Sequence, residues 1–151
     1  MRVLIQRVAH ASVTIEGERV AEIGRGLLVF VGVATDDTSA DVDYLVRKTT
    51  QLRIFDDAQG VMNLDVNQVG GEVLVVSQFT LQAATRKGNR PSYIKAAGEA
   101  VAVPLYVEFK TKLSQALGRD VPSGRFGADM KVELLNDGPV TIWIDSREAI
   151  S

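Results

Sequence analysis

Cysteine is absent from the chain of 151 residues. That excludes disulfides, thiolate nucleophiles and cysteine zinc sites together, and it suits a reducing compartment. Histidine occurs once, at His10. A multi-histidine metal site is therefore excluded, and a Ser-His-Asp triad would have to run through that residue. Neither charge sign is in excess: 17 Lys+Arg stand against 19 Asp+Glu, a formal charge of -2. A uniformly basic nucleic-acid coat is ruled out, while a local basic patch is not. Long apolar runs are also missing. The most apolar stretch, Leu27 to Ala34, is far too short to cross a bilayer. The opening Met1–Arg7 lacks the apolar core of a signal peptide, because Gln6 and Arg7 interrupt it. A soluble, cytoplasmic protein without membrane association, metal or cofactor is expected.

Hydrophobic residues make up 46% and charged residues 24%, ordinary globular values that exclude disorder. One domain over residues 1–151 is expected, and a chain of this length can bury roughly 70% of its unfolded surface without a staple. Residues 2–8 and Ala11 to Ile15 have strand character, and Val13 to Ile23 reads as a hairpin about Gly17. Leu27 to Val33 is a continuous apolar run suited to a strand buried on both faces. Thr38 and Asp41 form a capping-box pair before a helix with Val42, Leu45, Val46, Thr49 and Leu52 on one face. Residues 56–72 read as loop with short strands. Glu72 to Val76 is a strand leading into Ser77-Gln78-Phe79-Thr80-Leu81. A second helical region is expected near Ser92. Pro104 suits the first turn of a further helix, with Leu105, Phe109, Leu113 and Ala116 as its stripe and Gly118 as its end. Met130–Leu134 and Val140–Ile144 alternate as two strands, with Asn136-Asp137-Gly138-Pro139 between them as a hairpin turn. Strands at both ends with helices between them give an α+β class.

Familiar catalytic signatures are missing. Ser77 lacks the flanking glycines of a nucleophile elbow. Gly24-Arg25-Gly26 is only the front half of a dinucleotide fingerprint, and it precedes a strand rather than a helix. His10, between two alanines, reads as a surface or turn residue. Three segments carry candidate chemistry. At Ser77-Gln78-Phe79-Thr80-Leu81 a strand leaves its sheet, so backbone N–H groups lose ladder partners and become available to an oxyanion; the plain reading is a terminus whose Ser and Thr cap the backbone. At Asn136-Asp137-Gly138-Pro139-Val140-Thr141 a rigid pair of carbonyls can read the position of an ammonium group; the plain reading is a turn. From Thr85 to Lys95 the chain carries Arg86, Lys87, Arg90 and Lys95 with no acid. That loop is either merely solvated or a phosphate contact beside an ester site.

At these residues the chain resembles the D-aminoacyl-tRNA deacylases, also called D-tyrosyl-tRNA deacylases, over essentially its whole length. The resemblance runs through Ile5-Gln6-Arg7-Val8, Gly26-Leu27-Leu28-Val29, Val75 to Leu81, Thr85-Arg86-Lys87-Gly88, Gly124 to Met130 and Asn136 to Thr141. The SQFTL and NDGPVT segments in this order are its most specific part. The resemblance implies a barrel-like β-sandwich of mainly antiparallel sheets with helices outside. It also implies a homodimer that hydrolyses the ester of D-aminoacyl-tRNA, or of glycine mischarged onto tRNA. Ser77, Gln78, Phe79 and Thr80 would form one wall of the site. A cis Gly138-Pro139 of the other protomer would form the opposite wall, with Arg7 holding it. Arg86, Lys87 and Arg90 would meet tRNA phosphates. A D side chain would point to open space and an L side chain into the Gly-Pro wall, a discrimination by repulsion. The attacking group is either Thr80 or a water helped by the 2′-hydroxyl of the terminal adenosine. Two rivals remain open: a non-catalytic dimeric RNA-binding module, and a general esterase using Ser77.

Overall fold

In the computed structural model, which describes residues 1–148, one long strand organises the sheet. This is β1 (Arg2–Ile15). Its first half pairs antiparallel with β3 (Gly26–Gly32) and its second half with β2 (Glu18–Ile23), so the expected hairpin about Gly17 is present. Its other edge pairs with β7 (Lys131–Asp145) along nearly its full length. Strand β6 (Glu72–Ser77) joins β3 in parallel, giving a five-stranded, mainly antiparallel sheet curled into a half-barrel. A small hairpin, β4 (Phe55–Asp56) with β5 (Met62–Leu64), stands apart.

The apolar run at Leu27 to Val31 behaves as its composition demands. Leu27, Val29 and Val31 join Val73 and Val75 in one core cluster, while Leu28 joins Leu74 and Val76 in another. Successive side chains of a strand point to opposite faces, so a strand covered on both needs apolar residues throughout. The first cluster is roofed by α1 (Ser39–Gln51) and α2 (Glu99–Leu117), through Val42, Leu45, Val46, Ala102, Tyr106, Phe109 and Leu113. Helix α1 begins with the expected capping box: Thr38 accepts from Ala40 N at 3.3 Å, and Asp41 accepts from Thr38 N at 2.9 Å.

Three expectations fail. No helix starts near Ser92. Residues 92–97 are instead pinned to the tail of β3, where Thr35 N donates to Lys95 O and Ala97 N to Val33 O, and α2 begins at Glu99. Pro104 therefore lies inside α2, not in its first turn, and Leu117 rather than Ala116 completes the buried stripe. Asn136–Pro139 is not a hairpin turn. Lys131–Asp145 is one strand with a wide bulge, because Asn136 pairs with Val8 and Thr141 with Gln6, leaving Asp137–Val140 opposite Arg7 alone. Turn-forming composition serves an excursion from the ladder as well as it serves a reversal.

Candidate active site

The first half of the candidate site forms where β6 ends. Gln78 N–H donates to Val31 O at 2.7 Å, the last backbone bond this strand makes to the sheet, and the chain then winds into a short 3-10 helix, Phe79–Gln82. In such a helix the first internal donor is the third residue. Leu81 N–H accordingly reaches Gln78 O at 3.2 Å, and the N–H groups of Phe79 and Thr80 have no acceptor among the described residues. These are two adjacent donors, and Phe79, which carries the first of them, lines an open depression of about 230 Å³. Val76 to Phe79 line one side of it and Gly127 to Met130 the other. The Gln78 side-chain amide donates to Thr80 Oγ1.

The short helix is held by two side-chain bonds. Gln82, buried, donates to Gly32 O at 2.8 Å. Arg2 donates to Leu81 O and to Asp145, each at 2.9 Å. Burial alone would raise the Asp145 carboxyl, but the hydrogen bonds from Arg2 and from the Arg147 backbone, with the Arg2 charge, hold it below the usual range. Gly32 permits the close approach, since a Cβ there would lie 2.8 Å from Gln78 O and 2.9 Å from Leu81 Cβ.

The second half is the bulge of β7. The Gly138–Pro139 peptide is cis, and Gly138 has φ +143°, in a region that L side chains rarely adopt. Asn136 closes the excursion: its Oδ1 accepts from Val140 N at 2.9 Å and its Nδ2 donates to Thr141 Oγ1 at 3.0 Å. Arg7, the residue left facing the bulge, donates through Nε to Asp137 O at 2.9 Å and through Nη1 to Ile54 O at 2.7 Å. Its guanidinium thus ties the bulge to the segment before β4.

Within one chain the two halves are far apart. Ser77 pairs with Val31 and Val31 with Val3, whereas the bulge faces Arg7. That is four residues, roughly 13 Å, along β1, and three strand spacings, roughly 14 Å, across the sheet. The same ladder separates Ser77 from the lone histidine. His10 is exposed and pairs with Leu135, seven residues from Val3, roughly 23 Å along β1. No triad through Ser77 and His10 exists. Among the described residues no group of His, Asp and Glu is arranged to hold a metal.

A family model described as D-Tyr-tRNA(Tyr) deacylase matches residues 4–145, which includes both halves of the site. A D-aminoacyl-tRNA deacylase of Bacteroides thetaiotaomicron is 58% identical over 147 residues, covering 97% of this chain and 98% of that one. The chain belongs to the D-Tyr-tRNA(Tyr) deacylase family. A second relative in the family, the D-aminoacyl-tRNA deacylase of Chromobacterium violaceum, is 56% identical over the same shares. Among solved structures, a c-Myc DNA unwinding element binding protein superposes with TM-score 0.90 at 39% identity over 96% of this chain and 98% of its own. A probable eukaryotic D-amino acid tRNA deacylase superposes with TM-score 0.82 at 19% identity, over 95% of this chain and 97% of its own, a likeness of fold.

Against this family background, the sequence-read residues fall into three groups in space. Ser77, Gln78, Phe79 and Thr80 share the strand end, and Gly138 and Pro139 share the bulge with Arg7. Arg86, Lys87 and Arg90 lie on a loop closed by paired bonds between Ala84 and Ser92, at 2.8 and 2.9 Å. Arg86 and Lys87 line a depression of about 460 Å³ there. The wall from Gly127 to Met130 was not among the expected site residues. Its only sequence signal was that it falls in a stretch shared with the deacylases.

Proposed function

We propose that this chain is a D-aminoacyl-tRNA deacylase, a single-domain cytoplasmic enzyme that acts as a homodimer and reads the handedness of the aminoacyl group. One observation carries the catalytic part: the adjacent N–H groups of Phe79 and Thr80 lack an acceptor among the described residues where the chain leaves β6, and Phe79 lines an open depression. The ester carbonyl sits against these donors, which take up the negative charge formed when the carbonyl is attacked. Water adds to the carbonyl carbon, the ester C–O bond breaks, and the products are the free amino acid and the 3′-terminal hydroxyl of the tRNA. Thr80 is a poor attacking group here. Its hydroxyl contacts the Gln78 amide, which in neither orientation takes up a proton near neutral pH. Water assisted by the 2′-hydroxyl of the terminal ribose fits the site better, and the protein contributes positioning.

The selective wall comes from a second copy. The 20 Å-scale gap within one chain leaves the Gly138 and Pro139 carbonyls unable to meet a substrate held at Phe79. The outer edge of β7 has no partner strand among the described residues, and Leu135 and Trp143 on it are 54% and 44% exposed. Such an edge is a template for another chain, and pairing there would complete the half-barrel as a barrel-like β-sandwich. With the ammonium on the partner's Gly138 and Pro139 carbonyls and the ester carbonyl on Phe79 and Thr80, a D side chain points outward. An L side chain meets the bulge, and glycine, having none, is accepted. Arg86, Lys87 and Arg90 contact phosphates of the tRNA acceptor end.

The test incubates purified protein with D-Tyr-tRNA and L-Tyr-tRNA. Ester loss from the D form alone is expected, surviving in large part in Thr80→Ala and abolished when the terminal ribose is 2′-deoxy. Equal loss from both enantiomers would end the chirality reading. The nucleic-acid-binding name of the neighbour at 39% identity, with the basic loop, favours a second reading, a binding module without chemistry. Retention of D-Tyr-tRNA without any ester loss would select it.

A further inference from the structure

The rings of Phe79 and Tyr93 form an exposed apolar patch, with the exposed Ile94 next to it in the chain, and the catalytic reading uses none of these three side chains. The Phe79 and Tyr93 rings pack edge to face with centroids 5.0 Å apart, and the three residues are 54%, 39% and 82% exposed. Ile94 stands near the apex of a turn closed by Ala96 N donating to Tyr93 O at 3.0 Å. That turn is anchored to the tail of β3 through the bonds at Thr35 and Ala97, so the patch is rigidly placed. It is flanked by cations: Arg86, Lys87 and Arg90 precede it, Lys95 follows it, and no acid occurs from Gln82 to Gly98. Exposed aromatic faces interleaved with positive charge are the physical requirement for holding single-stranded nucleic acid, because stacking is indifferent to base identity and the cations follow the backbone.

We propose that Tyr93 and Ile94 are a platform for the unpaired nucleotides that precede the terminal adenosine of the tRNA. This rests on the deacylase reading, which puts the terminal nucleotide's ester at the N–H groups of Phe79 and Thr80. Successive nucleotides of a stacked strand are spaced by about 3.4 Å. A surface in ring contact with Phe79 therefore lies where the next one or two bases must pass. The platform makes the reaction depend on a single-stranded 3′ end, and the basic loop beyond it receives the phosphates of the same strand.

The experiment measures steady-state hydrolysis of D-Tyr-tRNA and, separately, the Kd for uncharged tRNA. Tyr93→Ala is expected to raise KM and Kd about ten-fold, the size of one lost base–aromatic contact, and Ile94→Ser, which loses a smaller apolar contact, about three-fold, each with kcat within a factor of about two. Ile94 is nearly bare, so Ile94→Ser tests the idea even if Tyr93→Ala unfolds. Unchanged KM and Kd, or a fall in kcat larger than the rise in KM, would overturn the platform. So would a change of sedimentation coefficient in the Ile94 variant, which would mark the patch as a protein contact. If the unaltered protein leaves D-Tyr-tRNA intact while the variants still weaken tRNA binding, the platform stands and the deacylase reading falls.

Discussion

Phe79 contributes two separable things, a backbone N–H and a ring, and a pair of substitutions divides them. Proline is tolerated at the first position of a helix, where its missing N–H had no internal partner and its fixed φ suits the turn. A following proline disfavours the helical region for the residue before it, and Gln78 already lies outside that region, with φ -149° and ψ 82°. Phe79→Pro therefore removes one proposed oxyanion donor while keeping the local path of the chain. Phe79→Ala removes the ring and keeps the donor. Relative to Phe79→Ala, kcat of Phe79→Pro is expected to fall by about 10²–10³, the usual cost of one such donor. Equal kcat values in the two variants would mean that the N–H does not face the reacting carbonyl. Arg7 illustrates the same economy at the other half of the site. Its two bonds go to main-chain carbonyls of Asp137 and Ile54, so it fixes the bulge and need not touch substrate.

At the scale of elements, α2 is built around a buried phenol. Tyr106 is 2% exposed, its hydroxyl donates to Val75 O over a long 3.5 Å, and Lys110 Nζ lies 4.7 Å from its ring centroid. Burial pushes the Tyr106 hydroxyl up to about 12, partly opposed by a hydrogen bond with Ser123. The folded protein thus binds this proton more tightly than the unfolded chain does. Its contribution is complete below the ordinary tyrosine value near 10 and is lost as pH rises toward about 12. The unfolding midpoint in urea is expected to drop over that window, and less steeply in Tyr106→Phe. The same helix shows what sequence makes legible. The capping box of α1 involves residues three apart and is readable locally. The start of α2 is not, because Ser92 to Ala97 have helix-compatible composition but are held by carbonyls and N–H groups of the distant β3 tail. Pro104 misled for a related reason: packing of Ala102, Tyr106 and Phe109 on the core sustains a helix through a residue that weakens it locally. In the site, the free donors follow from a strand end that the sequence displays. The bulge does not, since whether Asn-Asp-Gly-Pro reverses the chain or only leaves the ladder depends on β1 continuing to pair on both sides of Arg7.

At the scale of the whole molecule, the strand end at Phe79 and the bulge at Gly138 lie apart on each chain, and the proposed dimer would join them between chains. In a symmetric dimer each site would combine the Phe79 strand end of one protomer with the Gly138 bulge of the other. Gly138→Ala damages only the bulge: its Cβ would meet Val140 Cγ2 at 2.8 Å and Arg7 Nη2 at 3.0 Å, at a φ of +143°. Phe79→Pro damages only the strand end. Each variant alone should be nearly inactive. When equal amounts are unfolded and refolded together, about half of the dimers are mixed by random pairing. Each mixed dimer carries one site with both halves intact and one with both halves damaged, so about a quarter of the original activity should return. The return requires exchange of chains, so simple mixing of the two folded variants should recover it only as fast as the dimers dissociate. If every site were built from a single chain, refolding the variants together would restore nothing, and the partner's bulge would have no place in the reaction.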